Sequence, residues 1–122
     1  MSTLSLPSDD LPPAQMTNLD EMLLRQLEEA ISKRLYEGCD GVTQSLLTTC
    51  EWSVTINASI LTLVISSPVI ATHWRALNYI LPLGNQLGKF SGSAIIRVCP
   101  PLGAGEPVEI QVSEITAYRD SL

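Results

Sequence analysis

Residues 50–81 constrain the fold more than any other stretch of this chain. They read CEWSVTINASILTLVISSPVIATHWRALNYIL, two runs of alternating apolar residues followed by a helical pattern. In the first run Cys50, Trp52, Val54 and Ile56 fall on one side, with Glu51, Ser53, Thr55 and Asn57 on the other. That period of two marks a strand with one buried and one wet face. In the second run Leu61, Leu63 and Ile65 share a side, and Ile60, Thr62, Val64 and Ser66 make a mixed opposite side. Such a strand is central and partly covered on both faces. The turn-formers Asn57, Ala58 and Ser59 between the runs favour an antiparallel hairpin.

Ser67 suits a helix N-cap, where its hydroxyl accepts from a free amide, and Pro68 suits the first helical position. Ile70, Trp74, Leu77 and Leu81 then recur as one helical stripe, which predicts a helix over 68–81 closed by Pro82. Thr72, His73, Arg75 and Tyr79 lie away from the stripe. Trp52 and Trp74 are most simply core residues of strand and helix, and tryptophan enrichment at interface hot spots leaves one of them as a partner marker.

An earlier helix is expected to start near Asn18, which has capping-box spacing to Glu21. Leu23, Leu27, Ala30, Ile31 and Leu35 form its predicted buried stripe, flanked by Met22 and Leu24. Lys33 and Arg34 suit its last turns, and Gly38 is expected to end it in the left-handed conformation. Residues 1–16 carry three prolines and no periodicity, so they read as a flexible leader ahead of a single domain at 17–122. A docking peptide anchored by Leu4, Leu6 and Leu11 is the functional alternative for that leader.

Asp40-Gly41 signals a turn, and Leu46 and Leu47 a short covering segment. Pro82 to Gly88 reads as one more helical turn. Ala94, Ile96 and Val98 alternate in a third strand stopped by Pro100-Pro101, and Val108, Ile110 and Val112 in a fourth. The phase slips at Glu114-Ile115, as at a bulge or strand end. The expected class is α+β, a two-layer sandwich in the order α-β-β-α-β-β. Its four-stranded sheet is expected to be mostly antiparallel with the helices on one face.

Charge narrows the partners. The chain carries a net charge of −6, and all of the excess lies up to Glu51. Such an acidic face repels phosphate and disfavours indiscriminate nucleic-acid binding. No apolar run approaches the roughly 20 residues that span a bilayer, so no membrane association is expected. The start MSTLSLPSDD has neither a basic beginning nor an apolar block, and the expected location is the cytoplasm. Cys39, Cys50 and Cys99 are odd in number and widely spaced, which argues against a disulfide framework. Cys50 and Cys99 read as small buried apolar groups, and Cys39 has Asp40 beside it, which disfavours a thiolate.

Catalytic constellations are sparse. His73 is the one histidine, with no second histidine to share a metal and no spacing that pairs it with a cysteine or serine nucleophile. GNQLG at 84–88 lacks the ending and the preceding strand of a phosphate loop, and LGAGEP at 102–107 is followed by a strand rather than a helix. Both read as turns. No cofactor, metal site or catalytic residue is assigned.

The segment ILTLVISSPVIATHWRALNYIL, residues 60–81, resembles the strand–cap–helix segment of KH-like modules such as the DnaA N-terminal domain and the DciA helicase-loader domain. The resemblance implies a small module that recruits other proteins, around replication. Residues 60–81 contain no GxxG loop, the element that carries nucleic-acid contact in KH modules.

The expected function is therefore a non-enzymatic accessory or adaptor protein that binds another protein. Its contact is placed on an open sheet edge or on a polar cluster around the central helix: His73, Arg75, Asn78, Tyr79, Lys89 and Arg97, with Gln86 adjacent. One alternative is a nucleic-acid-linked module using Arg75, Lys89 and Arg97. Another is a small-molecule enzyme of unknown class. Self-association through an exposed strand edge is a further expectation.

Overall fold

The computed structural model describes residues 13–115, with side chains from residue 18. The leader expected at 1–16 falls mostly outside the described residues, but from Pro13 the chain is already helical. Helix α1 (Pro13–Gly38) and helix α2 (Gly41–Thr48) precede the hairpin of β1 (Glu51–Asn57) and β2 (Ile60–Ser66). Helices α3 (Ile70–Asn78) and α4 (Ile80–Leu87) follow, then β3 (Ala94–Cys99) and β4 (Val108–Gln111).

The class is α+β, as expected, and the strands lie in the order β1-β2-β3-β4. The sheet is mixed, which corrects the antiparallel expectation. β1–β2 and β3–β4 are antiparallel, but the central pair β2–β3 runs parallel, with Leu63 opposite Ile96 and Ile65 opposite Val98. A parallel pair needs a crossover that carries the chain back along the strand, and α3 with α4 supply it. The alternation sorts the faces. Val54, Leu61, Leu63, Ile65, Ala94, Ile96 and Val98 share the buried face, where Leu35, Leu46, Leu47, Ala76, Leu83 and Leu87 of the helices join them in the core. The other face, with Ser53, Thr55, Thr62 and Arg97, is exposed or half-buried.

The hairpin turn is tighter than the sequence suggests. Asn57 pairs with Ile60, leaving Ala58 and Ser59 alone in the loop, both at positive φ (52° and 67°). Two left-handed central residues match the right-handed twist of the flanking strands.

Several helix limits differ from expectation. Helix α1 starts before Asn18, so the expected capping box lies inside it. Its predicted buried stripe is largely exposed: Leu35 is buried and Ile31 half-buried, but Leu23 and Leu27 are 61% and 51% exposed. Length accounts for this. Twenty-six residues at about 1.5 Å each outrun the strand beside them, which leaves Leu23 beyond its end, while Leu27 stands level with Ile56 on the wall of an open groove. Gly38 ends α1 without a positive φ, and the Gln86 side chain lies against it, 2.5 Å from where a Cβ would stand. Asp40, taken as a turn residue, caps α2 by accepting the Thr43 backbone N–H at 2.8 Å.

The central helix expected over 68–81 is two helices. Pro82 in a continuous helix would clash with the Asn78 carbonyl and leave it unpaired. The chain breaks at Tyr79 instead, and Pro82 falls in the first turn of α4, where no N–H is needed. Ser67 is not the N-cap. That position belongs to Val69, which makes no side-chain capping bond. GNQLG belongs to α4 and its end, and its first glycine lets Ile115 approach, a Cβ on Gly84 falling 2.7 Å from Ile115 Cδ1. β4 ends at Gln111, and the phase slip marks a helical turn that begins at Val112.

Candidate functional site

Helix α3 turns its sides opposite to the sequence expectation. His73 and Ala76 are buried, with Thr72 and Leu77 half-buried beside them. Ile70 and Trp74, one helical turn apart, point outward, and Val69 at the N-cap is exposed with them. The Trp74 side chain is 60% exposed. Its ring meets the His73 ring edge-on, with centroids 5.6 Å apart. Arg75 and Asn78 flank this ridge, both exposed, and Arg75 sits in the last turn, where the helix dipole favours a cation. Leu81, on the first turn of α4, is exposed as well.

A competing stripe explains the inversion. His73, Ala76, Ile80, Leu83 and Leu87 are spaced three, four, three and four, and this row faces the core across both helices; Ile80 is half-buried and the others are buried. The sequence carried two stripes, and the one that continues through α4 is the one buried. Trp74 is therefore an exposed indole rather than a core residue. Trp52 is half-buried, stacked on Tyr36 of α1 at 6.3 Å with nearly parallel rings.

The six predicted contact residues do not form one face. His73 is 4% exposed, which removes it from any surface. Arg75 and Asn78 share the outer side of α3, while Tyr79 is half-buried at the helix break and Lys89 is exposed after α4. Gln86 is half-buried against α1. Arg97 lies on the open sheet face, where its guanidinium pairs with the Glu109 carboxylate directly across the β3–β4 register. That hydrogen bond is the main cause holding the Arg97 pKa above its ordinary value.

Among the described residues three buried side-chain polar atoms lack hydrogen-bond partners: Thr43 Oγ1, Ser67 Oγ and His73 Nδ1. The cysteines are free and half-buried. The Cys39 thiol donates to the Leu35 carbonyl at 3.2 Å, and burial, with help from Asp40, pushes its pKa up. Among the described residues no group of histidine, cysteine and carboxylate side chains is placed to hold a metal ion. No helix among them is long and apolar enough to cross a membrane.

A groove of about 510 Å³ lies beside α1, walled by Leu27, Ile31 and Arg34 and by Ile56, Leu61 and Phe90. Sequence reasoning missed it because it assigned the α1 residues to the core. Compared with known proteins, the chain matches no family model, no curated protein and no solved structure.

Proposed function

We propose that this chain is a non-enzymatic accessory protein that recruits another protein through the outer ridge of α3. The observation that carries the reading is the exposed Trp74, continuous with Ile70 and Val69 and flanked by Arg75. A tryptophan left in water beside aliphatic residues gains most when a partner covers it, and arginine beside it supplies charge-assisted hydrogen bonds. The matching surface is an apolar pocket for the indole, rimmed by carboxylates for Arg75. The KH-like resemblance of residues 60–81 points to recruitment of the same kind. Three free cysteines suit a reducing compartment, and the protein is read as cytoplasmic.

The test is affinity capture with the wild type and with a Trp74→Ala/Arg75→Glu variant. Both side chains are exposed, so the variant keeps its fold, checked by circular dichroism and melting temperature. Loss of the captured protein from the variant alone supports the reading. Equal recovery from both removes it, and a catch that vanishes on nuclease treatment assigns the binding to nucleic acid instead.

A further inference from the structure

Helix α1 carries both a groove wall and a free apolar ridge, and the two are complementary. Leu19, Leu23, Leu27 and Ile31 follow one another at intervals of four along the helix. Ile31 and Leu27 wall the groove with Ile56, Leu61 and Phe90, while Leu23 and Leu19 continue the row beyond it, where every described side chain from Asn18 to Leu27 is exposed. Met22 adds apolar surface beside them. We infer that the occupant of this surface is a second copy of the chain, its α1 lying antiparallel across the first with the two-fold axis at Leu27.

Charge selects that register. With Leu27 against Leu27 of the other copy, Leu23 comes level with Ile31 and Leu24 with Ala30. Asp20 comes level with Arg34, both on the side of the helix that carries Leu27. Arg34, which walls the groove, thus meets an acid of the other copy, and the pairing occurs twice because the interface is isologous. A parallel pairing in register sets each of these charges beside its own kind. Rows spaced by four pack into one another at a crossing of about −50°, which lets Leu19 and Leu23 of each copy enter the groove of the other. The ridge cannot fold back into the groove of its own chain, because one straight helix carries both.

Sedimentation equilibrium on the full chain, over a roughly hundred-fold concentration range, tests this. The wild type is expected to dimerise. A Leu23→Glu/Leu27→Glu variant is expected to weaken the dimer by more than about 100-fold, since four leucines leave the interface. Its melting temperature at low concentration should not fall, as both side chains are exposed in the monomer. Arg34→Glu is expected to weaken the dimer about 10-fold, and Asp20→Arg combined with Arg34→Asp to restore it. A wild type that stays monomeric throughout, a dimer untouched by the leucine substitutions, or a charge swap that fails to rescue would each overturn the inference. The α3 ridge is intact in all of these variants, so the outcome is independent of partner capture through Trp74.

Discussion

Glu28 of α1 accepts the backbone N–H of Ile56 at 2.7 Å, on the side of β1 that no other strand pairs. An edge strand presents unpaired donors to any other strand, and here a helix carboxylate occupies one of them. The same bond fixes α1 along the sheet, together with the Tyr36–Trp52 stack. Glu28→Ala leaves the amide without its acceptor and is expected to cost about 1–2 kcal/mol. Glu28→Gln, which keeps a carbonyl acceptor, is expected to lose less. Urea unfolding checks both, and an alanine variant with the wild-type midpoint would show that the bond contributes nothing.

The hairpin turn makes a second prediction. Ala58 and Ser59 both sit in the left-handed region, where a Cβ is disfavoured and glycine or asparagine is at ease. Ser59→Gly is expected to stabilise the protein by about 0.5–1 kcal/mol, and Ala58→Asn with Ser59→Gly by more. The readout is the thermal midpoint. A lowered midpoint for the double variant would refute the turn geometry.

These two features mark where sequence reading succeeded and where it stopped. Strand faces were legible because a period of two allows only two sides: the rows Val54, Leu63, Ile96 and Leu61, Ala94 assemble as the alternation requires. Helix orientation was less legible because α3 carries two stripes, and the choice depends on α4, which continues one of them. The parallel central pair was equally hidden, since strand direction follows from where the crossover delivers the chain. Nor does residue type alone reveal that Leu23 and Leu27 are uncovered. Their periodicity states that a face is apolar, but the length of α1 relative to β1 leaves Leu23 past the sheet, and the open groove beside Ile56 leaves Leu27 uncovered.

Asp40 gives a pH dependence. The Thr43 backbone N–H holds its carboxylate below the usual aspartate pKa, so the folded pKa is the depressed one. The cap's stabilising effect is then present in full above the unfolded pKa, about 3.9, and is lost as pH falls through the folded value. Asp40→Asn keeps an oxygen acceptor without the charge. Its stability should therefore fall less steeply than that of the wild type between neutral pH and strong acid. Melting curves across that range measure the difference. Parallel curves for the two proteins would mean that the capping carboxylate is not depressed on folding.

Thr43 supplies the last prediction, because its two ends do different things. Its backbone N–H is satisfied by Asp40, but its Oγ1 is buried with no hydrogen-bond partner in a residue only 1% exposed. A buried hydroxyl without a partner carries a desolvation penalty of about 1–3 kcal/mol, whereas a methyl group in the same place carries none. Thr43→Val retains the branched shape and the capped amide and removes only the hydroxyl, so it is expected to stabilise the protein by about 1 kcal/mol. Thr43→Ser makes the opposite change, keeping the hydroxyl and deleting the methyl beside Leu46 and Leu47, and is expected to destabilise by about 1 kcal/mol. The order Val above Thr above Ser in denaturant midpoint is the signature of an unpaired hydroxyl in an apolar site. If valine fell below threonine, the hydroxyl would have to be bonded to a polar partner at that point.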